Sequence, residues 1–321
     1  MPNSYTSSFR GYLGRLLLVT AGVLGLALAA TVAMVKYAVE PNDRVIQSLN
    51  LVRRATGSDA AFGDSHFAWG FVGSPEFPTF AAEGETVSDM ELRVRYYFRD
   101  KKPGKVIIQG DPHTFAPYKL DRATHAYLQN LDDRFWQRFV DHHRPYLGLY
   151  WERVLASGSF DVFRPKDELR WGWIVGHEQW ARVDSVERLG QASARVQRLT
   201  PVADFESNQF AASYRHTLEF LRSRGADVCV ITTPVSYEYY KYSSTDSSTA
   251  AALAFVRRVA KENGARYVDF YDLYAHPEFA SYFRDMDHLN EIGAPRFTSK
   301  VLSACFDPTM GTLGSTRHEG P

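Results

Sequence analysis

Cysteine is scarce in this chain: Cys229 and Cys305 are the two in 321 residues. So few exclude a disulfide-dense scaffold, and no Cys/His spacing has the pattern of a zinc site. Net charge is missing too. Thirty-seven Lys and Arg balance 37 Asp and Glu, which gives no reason to expect nucleic acid as a partner. Internal repeats and low-complexity tracts are lacking. Aromatic residues, by contrast, make up 14% of the chain. That suits a carbohydrate-facing cleft or a large aromatic core equally well. Cys229 lies in the apolar run Val228-Cys229-Val230-Ile231 and reads as a buried strand residue. Spacing does not show whether it meets Cys305; a single disulfide is compatible with a location outside the cytoplasm.

The most telling absence is local. Leu16–Val35 carries no charge over 20 residues. At about 1.5 Å per residue such a helix spans roughly 30 Å, the thickness of a bilayer core. Arg10 and Arg15 precede it, Lys36 follows it, and no acid stands before it. That pattern puts residues 1–15 in the cytoplasm as a short tail and the rest of the chain outside. Two readings compete: an uncleaved anchor over 16–36, or a signal peptide cleaved near Ala27-Leu28-Ala29. The run continues past that point, so length favours the anchor. Both export the remaining chain.

Residues 37–59 read as a polar stalk. Ala60-Ala61-Phe62 is a short apolar strand ending at Gly63-Asp64-Ser65, and Phe77–Ala82 is a second, weakened by Pro78. Val87, Met90, Val94 and Tyr97 recur at helical spacing. Lys105–Gln109 is a third strand. Residues 111–203 then break the pattern with mixed aromatic and charged residues, including Trp136, Trp151, Trp171, Trp173 and Trp180. The stretch reads as a largely helical insertion, clearest over Leu128–Val140, that either covers a cleft or packs on the sheet. Alternation returns with a helix over Phe205–Ser223, a strand over Asp227–Thr233, a helix over Ser248–Glu262 and a strand over Ala265–Phe270. A last helix is expected over His288–Ser303, then a loose tail over 306–321. The whole predicts an α/β fold with a parallel sheet between helices, its site at the C-terminal strand ends.

Ser65 follows such a strand end and opens a helix, where free N–H groups and a partial positive charge favour a nucleophile and an oxyanion. Asp and Ser also simply cap helices. His288 is the candidate base, because an unperturbed imidazole takes and returns protons near physiological pH, which suits transfer to and from a hydroxyl. Asp285, three residues earlier, reaches its far ring nitrogen; Asp287 is closer in sequence but is expected to point elsewhere. Both acids would equally suit a helix start. Gly84, between a strand and a helix, would let a backbone N–H approach an oxyanion.

Taken together, Phe62-Gly63-Asp64-Ser65, Gly84-Glu85-Thr86 and Asp285-Met286-Asp287-His288, followed by Leu289–Ala294, resemble the blocks of the SGNH (GDSL-like) hydrolase superfamily. The resemblance covers about 60–110 and 205–304. It implies a flavodoxin-like three-layer sandwich over 60–305, interrupted by the insertion 111–203. Ser65, His288 and Asp285 would be nucleophile, base and orienter, with Ser65 and Gly84 N–H groups in the oxyanion hole. No metal or bound cofactor is implied. One block departs. Where the family has Gly-x-Asn-Asp, this chain has Gly110-Asp111-Pro112-His113, and Pro112 has no N–H to donate. His113 or Gln109 are the expected substitutes. The departure resembles membrane-anchored SGNH-like proteins of cell-surface acyl transfer, such as the alginate O-acetylation and D-alanyl transfer (DltD) proteins. Thr232–Ser236 followed by Tyr239-Tyr240-Lys241-Tyr242 is similar to a stretch of the latter. This implies an O-acyltransferase, O-acetyl by expectation, on the bacterial inner membrane, with a surface glycan as acceptor and a multi-spanning MBOAT-type partner as acyl donor. An esterase with the same triad and a non-catalytic scaffold of a surface-polymer assembly are the alternatives.

Overall fold

A computed structural model describes residues 4–120, 134–165 and 167–307. In chain order these form α1 (Ser4–Met34), α2 (Arg44–Arg54), β1 (Ala60–Gly63), α3 (Ser65–Gly70), β2 (Thr79–Ala81), α4 (Val87–Tyr97) and β3 (Lys105–Gln109). The middle of the chain holds α5 (Pro117–Leu120), α6 (Phe135–Arg138), α7 (Leu147–Ser157), β4 (Glu168–Arg170), β5 (Trp173–Val175) and α8 (Ser185–Leu199). The last part is α9 (Gln209–Ser223), β6 (Asp227–Ile231), α10 (Tyr237–Ser243), α11 (Ser247–Glu262), β7 (Arg266–Val268) and α12 (Gly293–Phe306).

Two compact units result. One contains residues 4–47 and 134–165, the other 48–120 and 167–307. Part of the expected insertion therefore groups with the apolar helix instead of the sheet. The expected stalk is also largely helical: α2 buries Leu49 and Val52. Of the helix expected over Leu128–Val140, residues 128–133 lie outside the described residues, and from 134 onward the chain folds as α6 and a wider turn over Phe139–His143. The expected tail beyond 307 also lies outside them.

In the larger unit, five parallel strands run in the order β2-β1-β3-β6-β7. This is a doubly wound, flavodoxin-like order, whose direction of winding reverses between β1 and β3. Alternation along each strand feeds two cores. Ala60, Phe62, Val106, Ile108, Val228 and Val230 face α4, α9 and α11. Ala61, Ile107, Cys229 and Ile231 face α3, α12 and the β4–β5 hairpin. Cys229 and Cys305 form a disulfide that ties β6 to α12. Trp173 and Trp180 are interior packing residues, 7% and 1% exposed, so they serve the core and not an open groove.

The smaller unit contains the one helix among the described residues that is long and apolar enough to cross a membrane, a continuous helical stretch over Gly11–Asn42.

Candidate functional site

Geometry at the end of β1 begins with Gly63. A Cβ there would lie 2.2 Å from Gln109 Oε1 and 2.7 Å from Phe67 Cγ, so only glycine lets β1 turn this tightly into α3. Asp64 caps α3 by accepting from the His66 N–H at 3.0 Å. Ser65 is thereby the first helical residue, half-buried. Among the described residues no acceptor meets its N–H, which leaves that donor available beside its own hydroxyl.

His288 arrives from the other end of the chain. It lies in the turn between Phe283 and Leu289, whose backbones bridge each other. Asp285 Oδ1 accepts from the N–H groups of Asp287 and His288, at 3.1 and 2.9 Å. Asn290 then accepts from the N–H groups of Ile292 and Gly293. The helix expected from His288 therefore starts at Gly293, because these two side-chain acceptors hold the preceding residues in turns. A loop position leaves the imidazole ring free to face β1.

The structure brings the three predicted residues together. His288 Nε2 lies 3.1 Å from Ser65 Oγ. His288 Nδ1 lies 2.9 and 3.0 Å from the two oxygens of Asp285. Asp287 does not point away: its Oδ1 is 3.3 Å from the same Nδ1. Two carboxylates on one side of the ring place its proton on Nδ1 and leave the Nε2 lone pair facing the serine hydroxyl.

Beneath this open row lies a sealed one that the sequence did not disclose. Asp64 Oδ2 accepts from His113 Nε2 at 2.7 Å and from Lys119 Nζ at 2.8 Å. Gln109 Nε2 donates to Asp64 Oδ1 and to Asp111 Oδ2 at 2.9 and 2.7 Å, while its Oε1 accepts from the Asp64 N–H. Asp111 accepts from the N–H and hydroxyl of Thr233, just after β6. His66 stacks on His113 with ring centres 3.9 Å apart. Its Nδ1 is 3.3 Å from Asp111, and its Nε2 is 3.4 Å from Asp287 Oδ2. Arg195 of α8 closes the chain of charges by donating to Asp287 Oδ2 at 2.8 Å.

The expected substitutes for the absent asparagine are consumed by this cluster. His113 Nε2 is bound to Asp64, and both ends of the Gln109 amide are engaged. Gly84 has the left-handed backbone, φ 75°, that glycine adopts freely. It precedes Glu85, whose carbonyl accepts from Lys119.

Electrostatics separate the two rows. Burial alone would push His66 down, but Asp111 and Asp287 outweigh it and raise its pKa to about 10. At neutral pH it is a cation held between two carboxylates. Burial acts to raise Asp64, yet Lys119 and His113 hold it well below the usual carboxylate range. Asp287 is likewise held low against burial by His288, His66 and Arg195. Burial lowers His113, helped by the charge on His66. Two triplets here, His66/Asp111/His113 and His66/Asp287/His288, bring potential metal-ligand atoms within 4.8 Å of one another. Arg195 already pairs with Asp287, and His66 lies between Asp111 and Asp287, an arrangement that disfavours a further cation.

None of the curated proteins matches the chain. Residues 188–298, roughly a third of its length, match the family model described as DltD protein. The matched stretch takes in Arg195, Thr233, Asp285, Asp287 and His288, and Ser65 lies outside it.

Proposed function

We propose that this is a membrane-tethered, SGNH-type serine acyltransferase that loads O-acyl groups, acetyl by preference, onto a surface polysaccharide. The observation that carries the reading is the contact of Ser65 Oγ with an imidazole whose opposite nitrogen faces two carboxylates. Likeness to the DltD family over the histidine loop supports it, as does the apolar helix.

Chemistry follows from the geometry. Ser65 Oγ attacks the donor carbonyl while its proton passes to His288 Nε2. The imidazolium is stabilised by Asp285 and Asp287 on Nδ1. The developing oxyanion sits beside the Ser65 N–H, a donor at the start of a helix, with Gly84 as the proposed second donor. His288 returns the proton to the leaving group, and an acyl-serine remains. An incoming sugar hydroxyl gives its proton to His288, attacks the ester and leaves acylated, restoring the Ser65 hydroxyl. In this reading the domain lies outside a bacterial inner membrane, and a multi-spanning MBOAT-type protein delivers the acyl group.

A chromogenic acetyl ester incubated with enzyme and an acetyl-free oligosaccharide tests the assignment. Acetylated sugar, lost in Ser65→Ala, is the expected product. Release of acetate with no acylated sugar would instead make the protein an esterase. Unchanged turnover in Ser65→Ala would remove the serine mechanism altogether.

A further inference from the structure

Large exposed hydrophobic side chains are distributed unevenly. Outside the apolar helix and its exit, residues 134–165 expose seven, Trp136, Tyr146, Leu149, Leu155 and Phe160 among them. The described residues of the much longer sheet unit expose four: Trp171, Val186, Tyr237 and Leu302. A soluble surface seldom concentrates apolar area this way without something to cover it.

Contacts with α1 and its continuation give residues 134–165 a depth. Arg138 pairs with Glu40 at 2.7 Å and His142 with Asp43 at 2.8 Å, both beyond the charge-free run. Buried Met34, Val35 and Val39 pack with Phe139, Tyr150 and Val154 at the end of that run. Trp151 Nε1 donates to the Thr31 hydroxyl at 3.1 Å, inside it. Polar pairs outside and apolar contacts inside make residues 134–163 straddle the boundary where the helix leaves the hydrocarbon. Between α1 and α7, a cavity of about 460 Å³ is lined by Ala30, Ala33, Tyr37, Ala38, Trp151 and Phe160, an almost wholly apolar wall.

We propose that residues 134–163 are an interfacial membrane element, seated in the bilayer beside the C-terminal end of the apolar helix, with lipid acyl chain filling this cavity. Such seating is independent of the acyl-transfer chemistry. Its support is continuity: α7 packs on a helix already long enough to span the bilayer, at the level where that helix emerges. Aromatic and aliphatic side chains flanked by charged ones suit that zone. The Trp151–Thr31 contact puts α7 beside the charge-free run.

The test uses the full-length chain in phosphatidylethanolamine/phosphatidylglycerol proteoliposomes. An environment-sensitive dye is attached to a single new cysteine, Leu155→Cys or Phe160→Cys, the native pair being held in its disulfide. Val23→Cys, inside the apolar run, and Val186→Cys, on the sheet unit and 76% exposed, are the references. Spin-labelled lipid should quench positions 155, 160 and 23, and leave 186 to aqueous iodide. Quenching of 155 and 160 by iodide alone, as at 186, would overturn the proposal. Shielding of both from both quenchers would overturn it as well, since it would mean contact with another protein copy. Failure of lipid quenching at 23 would remove the anchor itself.

Discussion

Ser65 and His66 are neighbours on one helical turn, yet they serve opposite ends of the same site. Ser65 is half-buried and meets one side chain, His288. His66 is 3% exposed and sits between Asp111 and Asp287, stacked on His113. In the proposed mechanism Ser65 is the group that meets substrate, while His66 faces charge that water cannot screen. Asp287 joins the rows, touching His288 with one oxygen and His66 and Arg195 with the other. The open Ser65–His288–Asp285 row and the charge packed beneath it thus differ in burial and partners though their residues are adjacent in sequence.

Changes to the two rows should therefore fail differently. Ser65→Ala should lower turnover by about 10⁴-fold or more, as loss of a triad nucleophile does, with no change in thermal midpoint. Asp285→Asn should cost roughly 10²–10⁴ in kcat through loss of the tautomer-fixing carboxylate. Loss that large with unfolding would show that the rows are one structural unit. Asp64→Ala should instead destabilise by about 3–5 kcal/mol, because it removes the carboxylate that neutralises the buried Lys119; denaturant titration of the protein in detergent measures this. Equal stability would mean the sealed row does not hold the fold.

The pH dependence of the thermal midpoint sharpens the comparison further. A His66 pKa raised from 6.5 to about 10 contributes stability that is full below 6.5 and is lost as pH rises through about 10. Asp64 and Asp287, held low, contribute stability present above the ordinary carboxylate range and lost as pH falls through their depressed values. His66→Gln should flatten the alkaline limb and alter the acid limb less, because Asp64 keeps Lys119 and His113 and Asp287 keeps His288 and Arg195. Smallest is Arg195→Ala, expected to cost roughly 1–3 kcal/mol by leaving Asp287 without its donor. A still smaller loss would show that water replaces the guanidinium.

The contact of Ser65, His288 and Asp285 was legible in the sequence because each residue carries a local signature. Gly63-Asp64-Ser65 follows a strand, and Asp285 stands three residues before His288. The parallel sheet was equally legible from alternating apolar runs; the strand expected over Asp227–Thr233 ends at Ile231, and Thr233 bonds Asp111. The sealed row was not legible. Its members come from α3, β3, α5, α8, the loops after β1, β3 and β6 and the turn before α12, and no spacing announces that Lys119 or Arg195 will be buried against an acid. Asp287 illustrates the limit: neighbouring acids look alike in sequence, and only the Asp285 turn decides that both face the same nitrogen. The pairing of Cys229 with Cys305 was similarly undetermined until α12 was seen to pack on β6.

The central claim is that Ser65 is a nucleophile activated by His288. Intact mass spectrometry after brief exposure to an activated acetyl ester tests it most directly. The account predicts one acetyl group, mapped by peptide sequencing to Ser65, formed by the wild type and absent in both Ser65→Ala and His288→Ala. An acyl group found elsewhere, or formed on Ser65 at the same rate without His288, would contradict it.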